Sequence, residues 1–392
     1  MDTNGATGET SSSESAGGAS QVSCARKTAT EGLRSSSPPP IEKQRYLPLD
    51  AYRGLIMILL VSEGLGFSEL PQQPLYQTIA NQFQHRPWGG TVFYDLIMPA
   101  FLFMVGVAMP FSLGRRMEQG ADVRRLFGHV VRRCISLIII SQILLSIESN
   151  QAHFQFHNVL TQVAATYFIC FFLMQLKFRY QAAAASLILA GHSALYLLFP
   201  GPDGPFQPVT NIGAVIDRTI MGHNYLIAPC VNINFIPETA SVLFGVWTGN
   251  LIRSNRLRAE QLRIITVGMI AAFASGLLFA PLVPINKWLW TATYTLYTTG
   301  CSLLGLLFFY LLIDVLGIRK PMFFLTVVGM NSLFVYCVGE VLRGWINQSL
   351  MVFTGGFRFI GTLAPVAQSC AVLLVIWYLT YWLFKRKIFL RV

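Results

Sequence analysis

Apolar runs close to twenty residues long recur along this 392-residue chain, and they limit its fold more than any other feature. They lie at 51–69, 93–113, 130–147, 158–176, 181–199, 238–252, 263–281, 290–315, 321–342 and 363–384. About twenty apolar residues of helix cross the hydrocarbon of a bilayer, and a helix pairs its own backbone N–H and C=O groups there. Hydrophobic residues make up 53% of the chain and charged ones 12%, against about 25% charged in a soluble domain. The expected fold class is all-α: a polytopic integral membrane protein with about ten transmembrane helices over 44–392.

The net charge of +11 raises nucleic acid as a partner, but its placement argues against one. With ten spans alternating, 23 of the 29 basic residues share one side. They sit in the N-terminal segment, in 115–133, at Lys177 and Arg179, in 253–263, at Arg319 and Lys320, and in the tail after Phe384. Arg86, Arg218, Lys287, Arg343 and Arg358 fall on the other side, and Arg53 lies just inside the first span. Positive charge marks the cytoplasmic face, so both termini are expected there. The expected setting is the inner (plasma) membrane, with the lipid bilayer as partner and no nucleic acid.

Residues 1–43, rich in Ser, Gly, Thr and Ala, lack apolar surface to bury and read as a disordered cytoplasmic tail. No apolar signal core precedes Ala51, so the first span is expected to direct insertion. Five cysteines lie in spans and Cys230 alone in an outer loop, which implies no disulfide framework. The outer loops 70–92, 200–237 and 343–362 are long enough to build a lid or vestibule.

Ionisable groups inside a bilayer are costly, so each is a functional candidate. Asp50 and Arg53 open the first span at i,i+3, either as an ion pair or with Arg53 meeting an anionic ligand. Glu63 lies about 15 Å higher and is followed by Gly64-Leu65-Gly66. Asp95 starts the second span, where a carboxylate caps helix amides. Ten residues earlier His85 sits in a His-Arg-Pro-Trp-Gly-Gly turn, with Trp88 expected to wedge it at the membrane interface. Glu238, Lys287 and Glu340 mark the outer ends of later spans, and Asn331 falls within the ninth. His153 and His157 are spaced i,i+4, but Phe154 stands where a His-Glu-x-x-His motif needs glutamate, so no metal is expected. No P-loop, dinucleotide fingerprint or Gly-x-Ser-x-Gly elbow occurs.

The segments RYLPLDAYRG, HRPWGGTVFYDLIMPAFLFMVGVAMPFS, INKWLWTATYTLYTTG and GMNSLFVY, with weaker echoes in NVLTQVAATYF and IPETASVLFGVWTGNLI, resemble one family. It is the heparan-alpha-glucosaminide N-acetyltransferase-like transmembrane acyltransferases, and the similarity runs from Arg45 to about Phe384. The resemblance implies acetyl transfer from cytoplasmic acetyl-CoA, as co-substrate, to an extracytoplasmic (amino)sugar or glycan. It places the active-site histidine at His85 and its aspartate at Asp95. It matches Asp50 and Arg53, then Asn286, Lys287, Trp290 and Thr291, then Asn331, as substrate-binding positions, and Trp88 and Glu238 join them as candidates. Ser62-Glu63 stands where the family carries an asparagine, which makes Glu63 a catalytic candidate beside His85. The family's large outer domain has no counterpart in the matched region. A second copy of the chain is a further candidate partner. The rival expectation is a transporter or flippase of a sugar or lipid-linked precursor, which also needs charges at mid-membrane.

Overall fold

The computed structural model describes residues 46–71, 73–152, 156, 158–221 and 231–390. The tail 1–43, the pair His153 and His157, and Cys230 lie outside them. The compact unit is Leu47–Val392. Among its described residues there is no β-strand, only the isolated bridges Gly90–Asn286 and Gly201–Gly204.

The long helices are α1 (Leu47–Val61), α2 (Pro74–Gln82), α3 (Ile97–Met109), α4 (Val123–Ser149), α5 (Val159–Leu173), α6 (Phe178–Leu198) and α7 (Ile212–Met221). They continue as α8 (Phe235–Arg253), α9 (Arg258–Leu278), α10 (Ala292–Tyr310), α11 (Met322–Met330), α12 (Ser332–Thr354) and α13 (Ala364–Lys385). Local chemistry sets several boundaries. Asp122 accepts from the Arg124 amide at 3.0 Å and opens α4, and Asn158 accepts from Thr161 at 3.1 Å and opens α5. Asn150 closes α4 in the left-handed region at φ 52°. Pro110 lacks the N–H that α3 needs to continue, and the chain widens there into a π-turn, Pro110–Gly114.

The protein is a multi-pass membrane protein. Six helical stretches among the described residues are long and apolar enough to cross a membrane, or seven if α1 and the bent turn Glu63–Glu69 count as one. The ten apolar runs and these six or seven differ in part because α5 has only 15 residues and because Ser332–Lys385 counts as one stretch although it contains both α12 and α13. On α4, Ile135, Ile139, Ile143 and Ile147 form an i,i+4 stripe about half exposed, the surface that lipid tails solvate.

Two expected boundaries are corrected. The run 321–342 is not one helix: Asn331 leaves helical geometry at φ −125°, separating α11 from α12. Its side chain instead donates to Ile388 O at 3.0 Å and accepts from the Leu390 amide at 3.1 Å, pinning the chain end. The outer loop 343–362 is helical as far as Thr354, because its polar groups find partners: Arg343 pairs with Glu63, and Asn347 accepts from Gln368.

Helices meet where side chains vanish. A Cβ on Gly106 of α3 would lie 1.9 Å from Val242 O, and one on Gly245 of α8 would lie 2.1 Å from Phe103 O. The same holds at Gly54 of α1 and Gly329 of α11, each 1.9 Å from a backbone oxygen of the other helix. Close backbone approach supplies the dispersion contact that holds helices together in lipid, where no hydrophobic effect does so. Gly249 meets Val107 O in turn, so α3 and α8 run in parallel, and their register brings Glu238 level with the turn that carries Asp95.

Gly245→Val should separate α3 from α8 and cost about 3 kcal/mol or more, whereas Gly191→Ala, with nothing within 4 Å, should leave stability unchanged or slightly raised. Thermal unfolding of the two variants in detergent, followed by size exclusion, checks the difference.

Candidate functional site

Two loops, one before α3 and one before α10, are laced together. The Gly90 amide donates to Ile285 O at 2.8 Å, and Trp288 Nε1 donates to Arg86 O at 2.9 Å. Gly89 and Gly90, at φ 66° and 71°, make the turn that lets the first loop pass so near. The second loop is a tight knot. Asn286 Oδ1 accepts from the Trp288 amide at 2.8 Å, Thr291 Oγ1 donates to Pro284 O at 2.8 Å, and the Trp290 amide donates to Lys287 O at 3.1 Å. Trp290 holds φ 47°, a strained value for a bulky residue, and is buried against Tyr294. The knot projects two side chains toward the first loop, those of Lys287 and Trp288.

Three ionisable groups therefore converge. His85 Nδ1 lies 2.7 Å from Asp95 Oδ1, and Lys287 Nζ lies 3.2 Å from the same oxygen. Lys287 Nζ is also 2.8 Å from His85 Nδ1 and 3.1 Å from Nε2. The Asp95 side chain is 2% exposed, Lys287 11% and His85 41%, so the imidazole is the one that faces outward. Asp95 Oδ2 accepts from the Val92 amide at 3.2 Å, and Tyr294 OH donates to Asp95 O at 2.6 Å. One carboxylate thus caps the helix start and holds both the imidazole and the ammonium. Tyr94 and Trp288 flank the imidazole with ring centroids 4.7 and 5.9 Å away.

The remaining sequence candidates lie elsewhere. Glu63 does not reach His85: its carboxylate pairs with Arg343, which also donates to Ser62 O at 3.0 Å. Glu63, Gly64, Leu65 and Gly66 all have positive φ, a left-handed run at the end of α1 that turns the glutamate away. Trp88 is held by another loop. It donates to Phe206 O at 3.0 Å and packs among Tyr196, Val231 and Leu289. Asp50 and Arg53 sit at the opposite end of α1, 3.4 Å apart, with Arg53 also 3.4 Å from Gly329 O. Asn331 is held by the backbone of Ile388 and Leu390. Asn286, Thr291 and Trp290 are buried and shape the loop that presents Lys287. Glu238 is 1% exposed, and its Oε2 has no hydrogen-bond partner among the described residues.

Near this end, Asp217 of α7 accepts from the Asn232 amide at 3.0 Å, and burial pushes its carboxyl above the usual range. That contact anchors the segment entering α8, where Asn234 Nδ2 donates to Trp288 O at 3.0 Å. Sequence reasoning missed Tyr94, Trp288, Tyr294 and Arg343. Each neighbours or pairs with a residue it did single out, but across loops or helices whose approach a linear reading does not contain.

Two known proteins are similar to the chain. Heparan-alpha-glucosaminide N-acetyltransferase of Mus musculus is 25% identical over 363 residues, covering 76% of this chain and 53% of that protein. The Homo sapiens enzyme of the same name is 24% identical over 381 residues, covering 80% and 54%. The chain is a distant relative of these enzymes. It spans about half the length of the relatives it matches. No family model matches it.

Removing the Asp95 carboxylate takes the counter-charge from the buried Lys287 ammonium, so Asp95→Ala should cost about 3 kcal/mol. His85→Ala removes a more exposed ring and should stay within about 1 kcal/mol. Thermal unfolding followed by intrinsic fluorescence ranks the two.

Proposed function

We propose that the chain is a membrane-embedded acyltransferase. It moves an acetyl group from cytoplasmic acetyl-CoA to an (amino)sugar or glycan acceptor on the far face of the inner (plasma) membrane. The observation that carries this reading is the 2.7 Å contact between His85 Nδ1 and the buried carboxylate of Asp95, with the imidazole side chain 41% exposed. The distant kinship to N-acetyltransferases supports the reaction class.

The chemistry follows from the hydrogen positions. An ionised carboxylate only accepts, so Nδ1 carries the ring hydrogen toward Asp95 and Nε2 carries the lone pair. Nε2 takes the proton from an acceptor amine or hydroxyl as its nitrogen or oxygen attacks the thioester carbonyl. Asp95 steadies the imidazolium that forms, as the third member of a triad does. The tetrahedral adduct collapses by breaking its carbon–sulfur bond, and the imidazolium returns its proton to the departing sulfur as CoA thiol. Basic residues of the inner loops, together with Arg53, would attract the CoA phosphates. Glu63 is not needed to orient the ring, a task that falls to Asp95.

Membranes containing the chain should release free CoA thiol from labelled acetyl-CoA when an exogenous aminosugar is added. His85→Ala should lower that rate by about 100-fold or more, the contribution of a positioned general base, while expression is unchanged. Full turnover in the variant removes His85 from the mechanism. Counterflow of the sugar without thiol release would favour a carrier instead.

A further inference from the structure

We propose that Lys287 is a catalytic residue: its ammonium, standing over one face of the His85 ring, takes up the negative charge that the thioester carbonyl oxygen gains during transfer. Nζ lies 2.8 Å from Nδ1 and 3.1 Å from Nε2. A group so near both nitrogens of one small ring cannot lie in the ring plane without striking the carbon between them, so it lies over the face. Both in-plane positions keep their own tasks. Nδ1 turns its hydrogen to Asp95 Oδ1 at 2.7 Å, and the lone pair of Nε2 stays in the ring plane, where an acceptor meets it. Nζ is held by Asp95 Oδ1 at 3.2 Å and by the Trp288 ring, whose centre is 5.2 Å away, and the lysine side chain is 11% exposed.

At rest the three groups carry one negative charge, one positive charge and a neutral ring, and they balance. When Nε2 takes the acceptor's proton the ring becomes a cation against the ammonium, an excess of positive charge that a site withdrawn from water tolerates poorly. The same step bonds the acceptor's nitrogen or oxygen to the carbonyl carbon and moves the carbonyl π pair onto oxygen, so a negative charge appears as the positive one does. The acceptor atom lies in the ring plane and the adduct's oxygen is one carbon further on. Turned to the lysine's side of that plane, the oxygen comes within about 3 Å of Nζ, the reach an oxyanion donor needs. The charges then balance again. Breakdown reverses the flow: the oxygen's pair re-forms the carbonyl, the carbon–sulfur bond breaks, and the imidazolium's proton passes to sulfur. Lys287 thereby ties proton transfer to bond formation, since a proton on His85 is stable only beside an oxyanion.

The inference deepens the proposed acyl transfer and rests on it for its purpose, but the anion site can be read without turnover. Methanesulfonate is the probe, a tetrahedral monoanion with a methyl group where the adduct has its own. In the intact chain it should settle beside Nζ and slow the attack of diethyl pyrocarbonate on His85 saturably, whereas sodium chloride of matched ionic strength should not. Mass spectrometry of the peptide containing His85 reports the rate. Lys287→Met should need about tenfold more methanesulfonate for the same protection, the factor expected for one charge-assisted contact. Lys287→Arg, which keeps the charge, should stay protected. No saturable protection in the intact chain, or equal protection in Lys287→Met, overturns the proposal. In the thiol-release assay Lys287→Met should lose about 100-fold in kcat, the worth of an oxyanion donor, while KM for acetyl-CoA holds, and an unchanged kcat overturns it as well. Protection through Lys287 in a chain that releases no CoA would sink the proposed function and leave the anion site standing.

Discussion

The burial of the Asp95 carboxylate is the constraint from which the site follows. A charge with 2% of its side chain exposed, at the start of a membrane helix, must find compensation within the protein. It finds it in the Val92 amide, the Lys287 ammonium and the His85 ring. Val92 and His85 come from the loop before α3 and Lys287 from the loop before α10, so the carboxylate draws the two loops into one unit. The backbone bond from Gly90 to Ile285 and the indole bond from Trp288 to Arg86 O hold that unit closed.

The helices beneath serve this arrangement. Parallel α3 and α8 touch backbone to backbone through Gly106 and Gly245, and α10 reaches the site through Tyr294, whose hydroxyl grips the Asp95 carbonyl. Close crossings of this kind leave little freedom for one helix to slide on another, which keeps a carboxylate and an imidazole in register across loops. The second ionic centre, Glu63 with Arg343, closes α1 against α12 near the same end, and Asp50 with Arg53 marks the other end of α1.

The fold class was legible because apolar periodicity and charge asymmetry are properties of single segments. Segments such as 321–342 misled because apolarity does not show where a polar side chain will take the backbone out of the helix, as Asn331 does by capturing Ile388 and Leu390. The pair His85 and Asp95 was legible because both lie on one short stretch, ten residues apart. The place of Lys287 was not, since it comes from 202 residues away and depends on a strained turn at Trp290 that no composition signals. Glu63 misled for a related reason: its depth in the first span made it a candidate, but four consecutive left-handed residues direct it to Arg343. Trp288 was missed because loop pairing rather than nearness in the chain decides which tryptophan meets the imidazole.

The most direct test is a density map of the intact chain bound to an acetyl-CoA analogue whose thioester sulfur is replaced by methylene. The account predicts the acetyl carbonyl within about 3.5 Å of His85 Nε2, the reach of a near-attack geometry, with Lys287 Nζ still on Asp95. An acetyl group lodged at the Asp50–Arg53 end of α1, or on the lipid-facing surface with His85 unapproached, would contradict it.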